Sequence, residues 1–338
     1  MHKATRRAFV HGGLAAAGTF AILTGRAKAA EFSLKFANNL PLDHPLNVRA
    51  AEAIARIKQE SNGQIEVSVF PNSQLGGDTD MLSQVRSGAI DLFTLSGLIL
   101  ATLVPATSIY GLGFAFKDYD TAWKAMDGDL GNHLRGLVAK AGVHTLKTNW
   151  DNGFRHFFSG VKPIATPADL KGFKIRVPIS PMWVSIFKSL GASPVGINWA
   201  ETYSALQTKV VDGLENSLAN IEASKMYEVQ KYCALTNYMW DNFFVLVSRK
   251  SWEALPPKVQ DIVERNFNAA GLGEREDVAR LNVSLQKKLE ERGMVFSTPP
   301  VEPFKVALRQ SGFYGEWKAK FDPESWSLLE KYTGKLDS

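Results

Sequence analysis

Along the first third of the chain, the apolar residues switch between two periods. Ala50, Ala53, Ile54 and Ile57 recur at helical spacing and stop at Asn62-Gly63, after which Ile65, Val67 and Val69 alternate as in a half-buried strand. Pro71 to Asp78 interrupt this pattern with Gly76-Gly77. Met81, Leu82 and Val85 then restore a helix that Gly88 closes, and Ala89 to Leu95 reads as a strand. Helices alternating with strands predict an α/β lobe built on a mostly parallel sheet.

A second unit of the same kind follows. Thr166-Pro167-Ala168-Asp169 combines a cap residue, a proline at the first helical position and an acid three after the cap, predicting a short helix that Gly172 ends. Phe173 to Val177 reads as a strand running into Pro178. Ser180-Pro181 then opens a helix carrying Trp183, Ile186, Phe187 and Leu190, and Asn198-Trp199-Ala200-Glu201 opens another that reaches about Val210. After a strand over Phe243 to Ser248, the segment Ser251 to Gly293 carries one stripe of Val259, Ile262, Val263 and Phe267 and another of Leu281, Leu285 and Leu289. These stripes predict helices packing across or between the lobes. With no Pro/Gly/Ser tether between the halves, several chain crossings and a shared hinge are expected.

The first thirty residues belong to neither unit. Thr5-Arg6-Arg7-Ala8-Phe9-Val10, an apolar run from Gly12 to Leu23 and the small-x-small sequence Ala27-Lys28-Ala29 have the order of a signal peptide of twin-arginine type, cleaved near Ala29. The run is too short and too rich in Gly and Ala to span a bilayer stably. Its loss changes the electrostatics, because Lys3, Arg6, Arg7, Arg26 and Lys28 lie in it and no acid does. The 39 basic and 34 acidic residues then come into balance, and the formal charge of +5 disappears. Nothing basic remains to suggest nucleic-acid or membrane-surface binding. The mature chain is long enough for two domains, and its single cysteine, Cys233, excludes an intrachain disulfide.

No constellation for catalysis stands out. G-x-S-x-G, H-E-x-x-H, paired C-x-x-C, a P-loop and a complete G-x-G-x-x-G are all missing, and Gly111-Leu112-Gly113 lacks the third glycine. His44, His133, His144 and His156 are scattered rather than spaced as metal ligands. No enzyme activity, cofactor or metal is expected, although the residues leave open whether a metal ion assists binding.

Five motifs in order carry a resemblance. They are Phe70-Pro71-Asn72-Ser73-Gln74-Leu75-Gly76-Gly77-Asp78, Asn152-Gly153-Phe154-Arg155, Leu170-Lys171-Gly172-Phe173-Lys174-Ile175-Arg176-Val177-Pro178, Tyr203-Ser204-Ala205-Leu206-Gln207-Thr208 and Val211-Asp212-Gly213-Leu214-Glu215-Asn216. From about Phe32 onward the chain resembles the substrate-binding proteins of tripartite ATP-independent periplasmic (TRAP) transporters, in the DctP-like family. The resemblance implies a two-lobe periplasmic-binding-protein (type II-like) α/β architecture with hinge strands and long helices crossing the lobes. It also implies a small organic acid as ligand, integral-membrane TRAP transporter subunits as partners, and a periplasmic location. The expected division is residues 1–29 as signal peptide, 30–152 plus about 242–281 as lobe 1, and about 153–241 plus 282–338 as lobe 2. A monomer is expected, with a dimer through the carboxy-terminal helices as the alternative.

The resemblance makes Arg176 the carboxylate clamp. A planar guanidinium at a strand end can grip an acid through two parallel N–H···O bonds, the alternative being an ion pair with a neighbouring acid. Arg155 matches a second arginine near the carboxylate and Asn216 an amide on the same side, with a strand-end charge and a helix cap as their plain alternatives. Trp199 matches a ring against the ligand's carbon skeleton, or else staples a helix start. Trp150, Trp240 and Asp151 fall near the lobe crossings, where the tryptophans read equally well as core. The first lobe would offer Asn38, Asn39, His44, Asp78 and Ser96. Ser96 stands where sialic-acid-binding relatives carry an acid, and Leu214 and Ser217 replace a common glutamine and proline. These departures point away from a polyhydroxylated sugar acid and toward a monocarboxylate, such as an aromatic or branched hydroxy or oxo acid. A periplasmic acid-processing enzyme and a ligand-sensing receptor module are the rival readings.

Overall fold

The computed structural model describes residues 30–336, so the expected signal peptide lies outside the described residues. Ten strands form one continuous sheet: β1 (Phe32–Ala37), β2 (Ile65–Phe70), β3 (Leu92–Ser96), β4 (Val143–Thr145), β5 (Trp150–Ser159), β6 (Lys174–Val177), β7 (Ser193–Gly196), β8 (Gly213–Asn216), β9 (Tyr232–Ser248) and β10 (Val295–Ser297). The main path runs β2-β1-β3-β9-β5-β8-β6-β7, with β4 and β10 added to β9. The expected mostly parallel sheet holds only at the flanks, where β2-β1-β3 and β8-β6-β7 are parallel. Between them β9 and β5 run antiparallel to each other, and each is antiparallel to the flank it joins. This gives two α/β lobes fused through a pair of long strands.

The pattern around Phe243 to Ser248 marks only the last part of β9, a strand of 17 residues. At about 3.3 Å per residue it spans roughly 56 Å, enough to serve both lobes. Its middle is buried on both faces, which removes the alternation that would have announced it. The region from Ser251 onward is likewise a short helix, Arg249–Ala254, and then one helix, Pro257–Glu291, of 35 residues and about 52 Å. Its early stripe of Val259, Ile262, Val263 and Phe267 packs into a first-lobe core with Phe36, Ala50, Ile57 and Ile65. Leu285 and Leu289 pack into a second-lobe core with Phe158, Leu214 and Ile221, whereas Leu281 is exposed. Gly271 is required where this helix meets β5, because a Cβ there would sit 2.7 Å from the indole nitrogen of Trp150.

The boundaries expected near 152, 241 and 281 thus fall inside β5, β9 and the long helix, elements common to both lobes. The carboxy-terminal segment also divides its contacts. Helix Glu302–Gln310 packs on helix Pro181–Ser189, and helix Pro323–Thr333 packs on helices Tyr119–Asp127 and Asp129–Lys140. No helix among the described residues is long and apolar enough to cross a membrane.

At the hinge the long helix and β5 bring two carboxyl groups together without a cation between them. The Asp151 amide donates to Glu274 Oε2 at 2.8 Å, while Asp151 Oδ1 accepts from the Gly153 amide at 3.0 Å and from Trp240 Nε1 at 3.2 Å. Asp151 Oδ2 and Glu274 Oε1 are buried with no partner among the described residues, and Arg275 alongside spends its guanidinium on Asp127 and the Asn149 carbonyl. Burial raises both carboxyl pKa values, that of Asp151 to about 7 against the bonds from Gly153 and Trp240, and for Glu274 the charge of Asp151 adds to the effect of burial. A raised folded-state pKa means that the folded protein holds a proton the unfolded chain releases. Its stabilisation is complete below the ordinary carboxylate range and is lost as pH rises through the folded value. Glu274→Gln should therefore raise the melting temperature at pH 8, by about 2–4 °C for each kcal/mol of relieved repulsion, and by less at pH 5. Equal destabilisation at both pH values would show that the two carboxyls do not compete.

Candidate ligand-binding site

Between the lobes lies a narrow cavity of about 30 Å³, walled by Asn39, Leu40, Asp78, Ser96, Ile99 and Phe243 on one side and by Asn152, Arg155, Arg176, Pro178, Trp183, Trp199, Asn216 and Asn220 on the other. Arg176 is in β6, the strand that Pro178 ends. It is 1% exposed, and its Nε and Nη2 both donate to the Ile197 carbonyl, at 2.9 and 2.6 Å. The guanidinium lies 5.3 Å from the Trp199 ring. No carboxylate lies within ion-pair distance among the described residues, and Nη1 has no hydrogen-bond partner among them. Burial lowers the Arg176 pKa to about 10, against the pull of Glu215 and Asp78, so it stays charged at neutral pH. A buried cation compensated only by a carbonyl and a ring has its strongest missing partner in an anion.

Arg155 presents the opposite case. Its Nε and Nη2 grip Glu215 bidentately at 2.5 and 2.9 Å, Nη1 lies 3.6 Å from Asp241, and the indole of Trp183 stacks 4.9 Å below. Burial works against its charge, but Glu215 and Asp241 outweigh that penalty and raise its pKa. Each carboxylate is held in turn. Tyr238 donates to Glu215 at 2.6 Å and Trp183 to Tyr238 at 3.0 Å, while Asp241 accepts from Ser96 at 2.8 Å, Tyr110 at 2.9 Å and Asn152 at 2.7 Å. Arg155 is therefore neither a strand-end charge in solvent nor a free clamp, but the centre of a neutralised buried frame. The sequence motifs include Glu215 but give no sign of its role or of Asp241, Tyr238 and Tyr110, since nothing in local spacing announces partners 23 to 131 residues apart.

The backbone aims the remaining amides. Gly153, at φ +85°, gives its N–H to Asp151 and sits at a register shift in the β5–β9 pairing. That bulge puts Asn152 in the same wall as Arg155, which explains the Asn152-Gly153-Phe154-Arg155 motif. Asn216, at the end of β8, accepts through Oδ1 from the Ser217 amide at 2.8 Å and from Asn220 Nδ2 at 2.9 Å, leaving its own Nδ2 unpartnered among the described residues. From the first lobe, Asp78 opens helix Asp78–Ser87. It is 2% exposed and accepts one bond, from Asn39 Nδ2 at 2.9 Å, and burial raises its pKa to about 6 despite Arg176. Gly77 beside it approaches the second lobe closely: a Cβ there would lie 2.8 Å from the Asn198 side chain across the cleft, which would have to move.

Seven of the twelve candidate residues thus line one cavity: Arg176, Arg155, Asn216, Trp199, Asn39, Asp78 and Ser96. The other five do not line it. Asn38 is consumed by its own loop, exchanging bonds with Asn47 and capping the Leu40 amide. His44 caps helix Pro45–Glu60 through Nδ1 and adjoins Asn220, and burial lowers its pKa to about 4. Asp151 belongs to the hinge pair. Trp240 packs on Tyr110, Phe116 and Trp123, and Trp150 packs on Phe267, both as core. Asn152, Asn220 and Trp183 join the cavity; the first lay in a quoted motif and signalled itself there.

Two α/β lobes closing on a desolvated, anion-seeking guanidinium define a binding protein of the two-lobe class. The profile of the bacterial extracellular solute-binding protein family 7 (DctP) matches residues 36–311, and the chain belongs to that family, whose members bind solutes rather than convert them. It is 34% identical over 295 residues to the C4-dicarboxylate-binding periplasmic protein DctP of Vibrio cholerae serotype O1, covering 85% of this chain and 88% of that one. Among solved structures, a TRAP periplasmic solute-binding protein from Bordetella, with density interpreted as pantoate, superposes with a TM-score of 0.84 at 28% identity, covering 90% and 99% of the two chains. The sugar-acid-binding protein DctPAm of Advenella mimigardefordensis, in complex with galactonate, gives 0.86 at 27% identity, covering 91% and 100%.

Removing Glu215 would leave Arg155 buried with only the more distant Asp241. Glu215→Ala should cost about 3–5 kcal/mol of stability in urea denaturation. A loss below 1 kcal/mol would show that Arg155 does not depend on this pair.

Proposed function

We propose that this protein captures a small organic monocarboxylate in the periplasm and delivers it to a TRAP-class membrane transporter. The observation that carries the reading is Arg176: a buried guanidinium with a free Nη1, facing a cavity and lacking a counter-ion. An acid docked there would accept from Nη1 and from Asn216 Nδ2, while its carbon skeleton lay against Trp199, whose ring already flanks the cation.

One free cation suits one carboxylate. Arg155 is already neutralised, and the far wall carries Asp78, so a second carboxylate on the ligand would meet repulsion rather than a partner. This favours monocarboxylates, such as the pantoate and galactonate of two structural relatives, over C4-dicarboxylates, such as the ligands of the Vibrio relative and the succinate bound to a TRAP solute-binding protein from Sulfurospirillum deleyianum. Leu40, Ile99, Pro178, Trp183 and Phe243 add apolar wall, which favours a branched or aromatic hydroxy or oxo acid among the monocarboxylates. The cavity is smaller than such an acid, so entry requires the lobes to part, and closure afterwards desolvates the ionic contact and strengthens it. The closed shape is then what a membrane partner reads.

The test is a thermal-shift and calorimetric panel of pantoate, galactonate, aromatic 2-hydroxy and 2-oxo acids, and succinate. Monocarboxylates should raise the melting temperature and succinate should not. Arg176→Ala should weaken the best acid by about 2–5 kcal/mol, roughly 30-fold to several-thousand-fold. Unchanged affinity in that variant would refute the clamp, and succinate as the tightest ligand would refute the single-carboxylate assignment.

A further inference from the structure

The charges around the cavity do not balance once an acid is bound. Two guanidinium groups, Arg155 and Arg176, face three carboxyl groups, Asp78, Glu215 and Asp241, all 2% exposed or less. Glu215 and Asp241 are spoken for by Arg155, and Asp241 has further donors in Ser96, Tyr110, Asn152 and the Asn242 amide. Asp78 lines the cavity and has one donor, Asn39 to its Oδ1, while its Oδ2 has no hydrogen-bond partner among the described residues.

The groups around Asp78 leave it poorly compensated. On its own helix, Asp80 caps the Gly77 amide; from the loop after β1 come Asn39 and the neutral, buried His44. Across the cleft, Arg176 is the cation that attracts it. An anion docked on Arg176 neutralises that attraction and adds a negative charge to the same desolvated space. Like charges so placed cannot both remain ionised.

We propose that the cavity takes up its acid together with a proton, which Asp78 holds in the complex. The balance is simple: the ionised acid and one proton enter, the Asp78 carboxylate becomes a carboxylic acid, and its O–H donates to an oxygen of the ligand. No bond is broken and nothing else is released. The inference rests on the anion-binding reading above.

Burial, working against Arg176 and Asn39, already raises Asp78 to about 6 before any ligand arrives, and the ligand's charge would raise it further. A group whose pKa is higher in the complex makes binding strongest at low pH. Affinity should then fall as pH rises above about 6, by up to about tenfold per pH unit until the value in the complex is reached.

Calorimetry of the mature chain with pantoate or galactonate, whichever gives the larger thermal shift, decides this at pH 7 in phosphate and in Tris, whose ionisation enthalpies differ. The buffer dependence should report uptake approaching one proton, and the dissociation constant should rise between pH 7 and 8 by up to about tenfold. Equal apparent enthalpies in the two buffers would overturn the inference while leaving acid binding intact. Glu274→Gln should retain the uptake, because the hinge pair is not its source, and uptake lost there or retained in Asp78→Asn would overturn the assignment. Failure of both acids to bind would sink the anion reading, and this inference with it.

Discussion

A guanidinium taken out of water with no carboxylate in contact is costly, and the wall around Arg176 is arranged about that cost. Arg176 is held by a carbonyl and flanked by a ring, neither of which neutralises it. In the same wall Arg155 is paired with Glu215 and faces Asp241, with Tyr238 and Trp183 bonded behind the pair. Two arginines in one wall thus differ: Arg155 is paired with carboxylates, while Arg176 bonds a carbonyl and has no carboxylate within ion-pair distance among the described residues.

Much of this was legible in the chain, and the failures share a cause. The flanking units were readable because each buries one face, so period 3.6 and period 2 remain visible at Ala50 to Ile57 and Ile65 to Val69. The centre was not, because β9 and β5 are covered on both sides and lose their period where they matter most. Arg176, Asn216, Trp199 and Asp78 stood in motifs whose glycines and prolines shape the backbone. Glu215 stood in a quoted motif as well, yet its role depends on Arg155, and a pairing across 60 residues has no local trace. Trp150 and Trp240 were drawn toward the site by their nearness to the crossings, but an aromatic side chain at a lobe junction is as readily core as contact, and here both are core.

The hinge and the cavity obey one electrostatic logic. Asp151 with Glu274, and Asp78 with an incoming acid, each place two acid groups where the solvent cannot screen them. In the first case the crowding is built into the frame. In the second it arises only on closure, so the energy of the shut state contains a contribution from the aqueous proton concentration as well as from the solute.

The interlacing of the two lobes has a consequence for how such a molecule can be altered. Because β5, β9 and the 35-residue helix each contribute to the cores of both lobes, and the carboxy-terminal helices pack on different units, no single cut separates one half from the other. Grafting a foreign lobe onto this one would require exchanging several non-contiguous stretches at once, each with a matching register. Specificity in this architecture is therefore accessible to point substitution in the cavity wall, whereas modular shuffling of halves is closed to it.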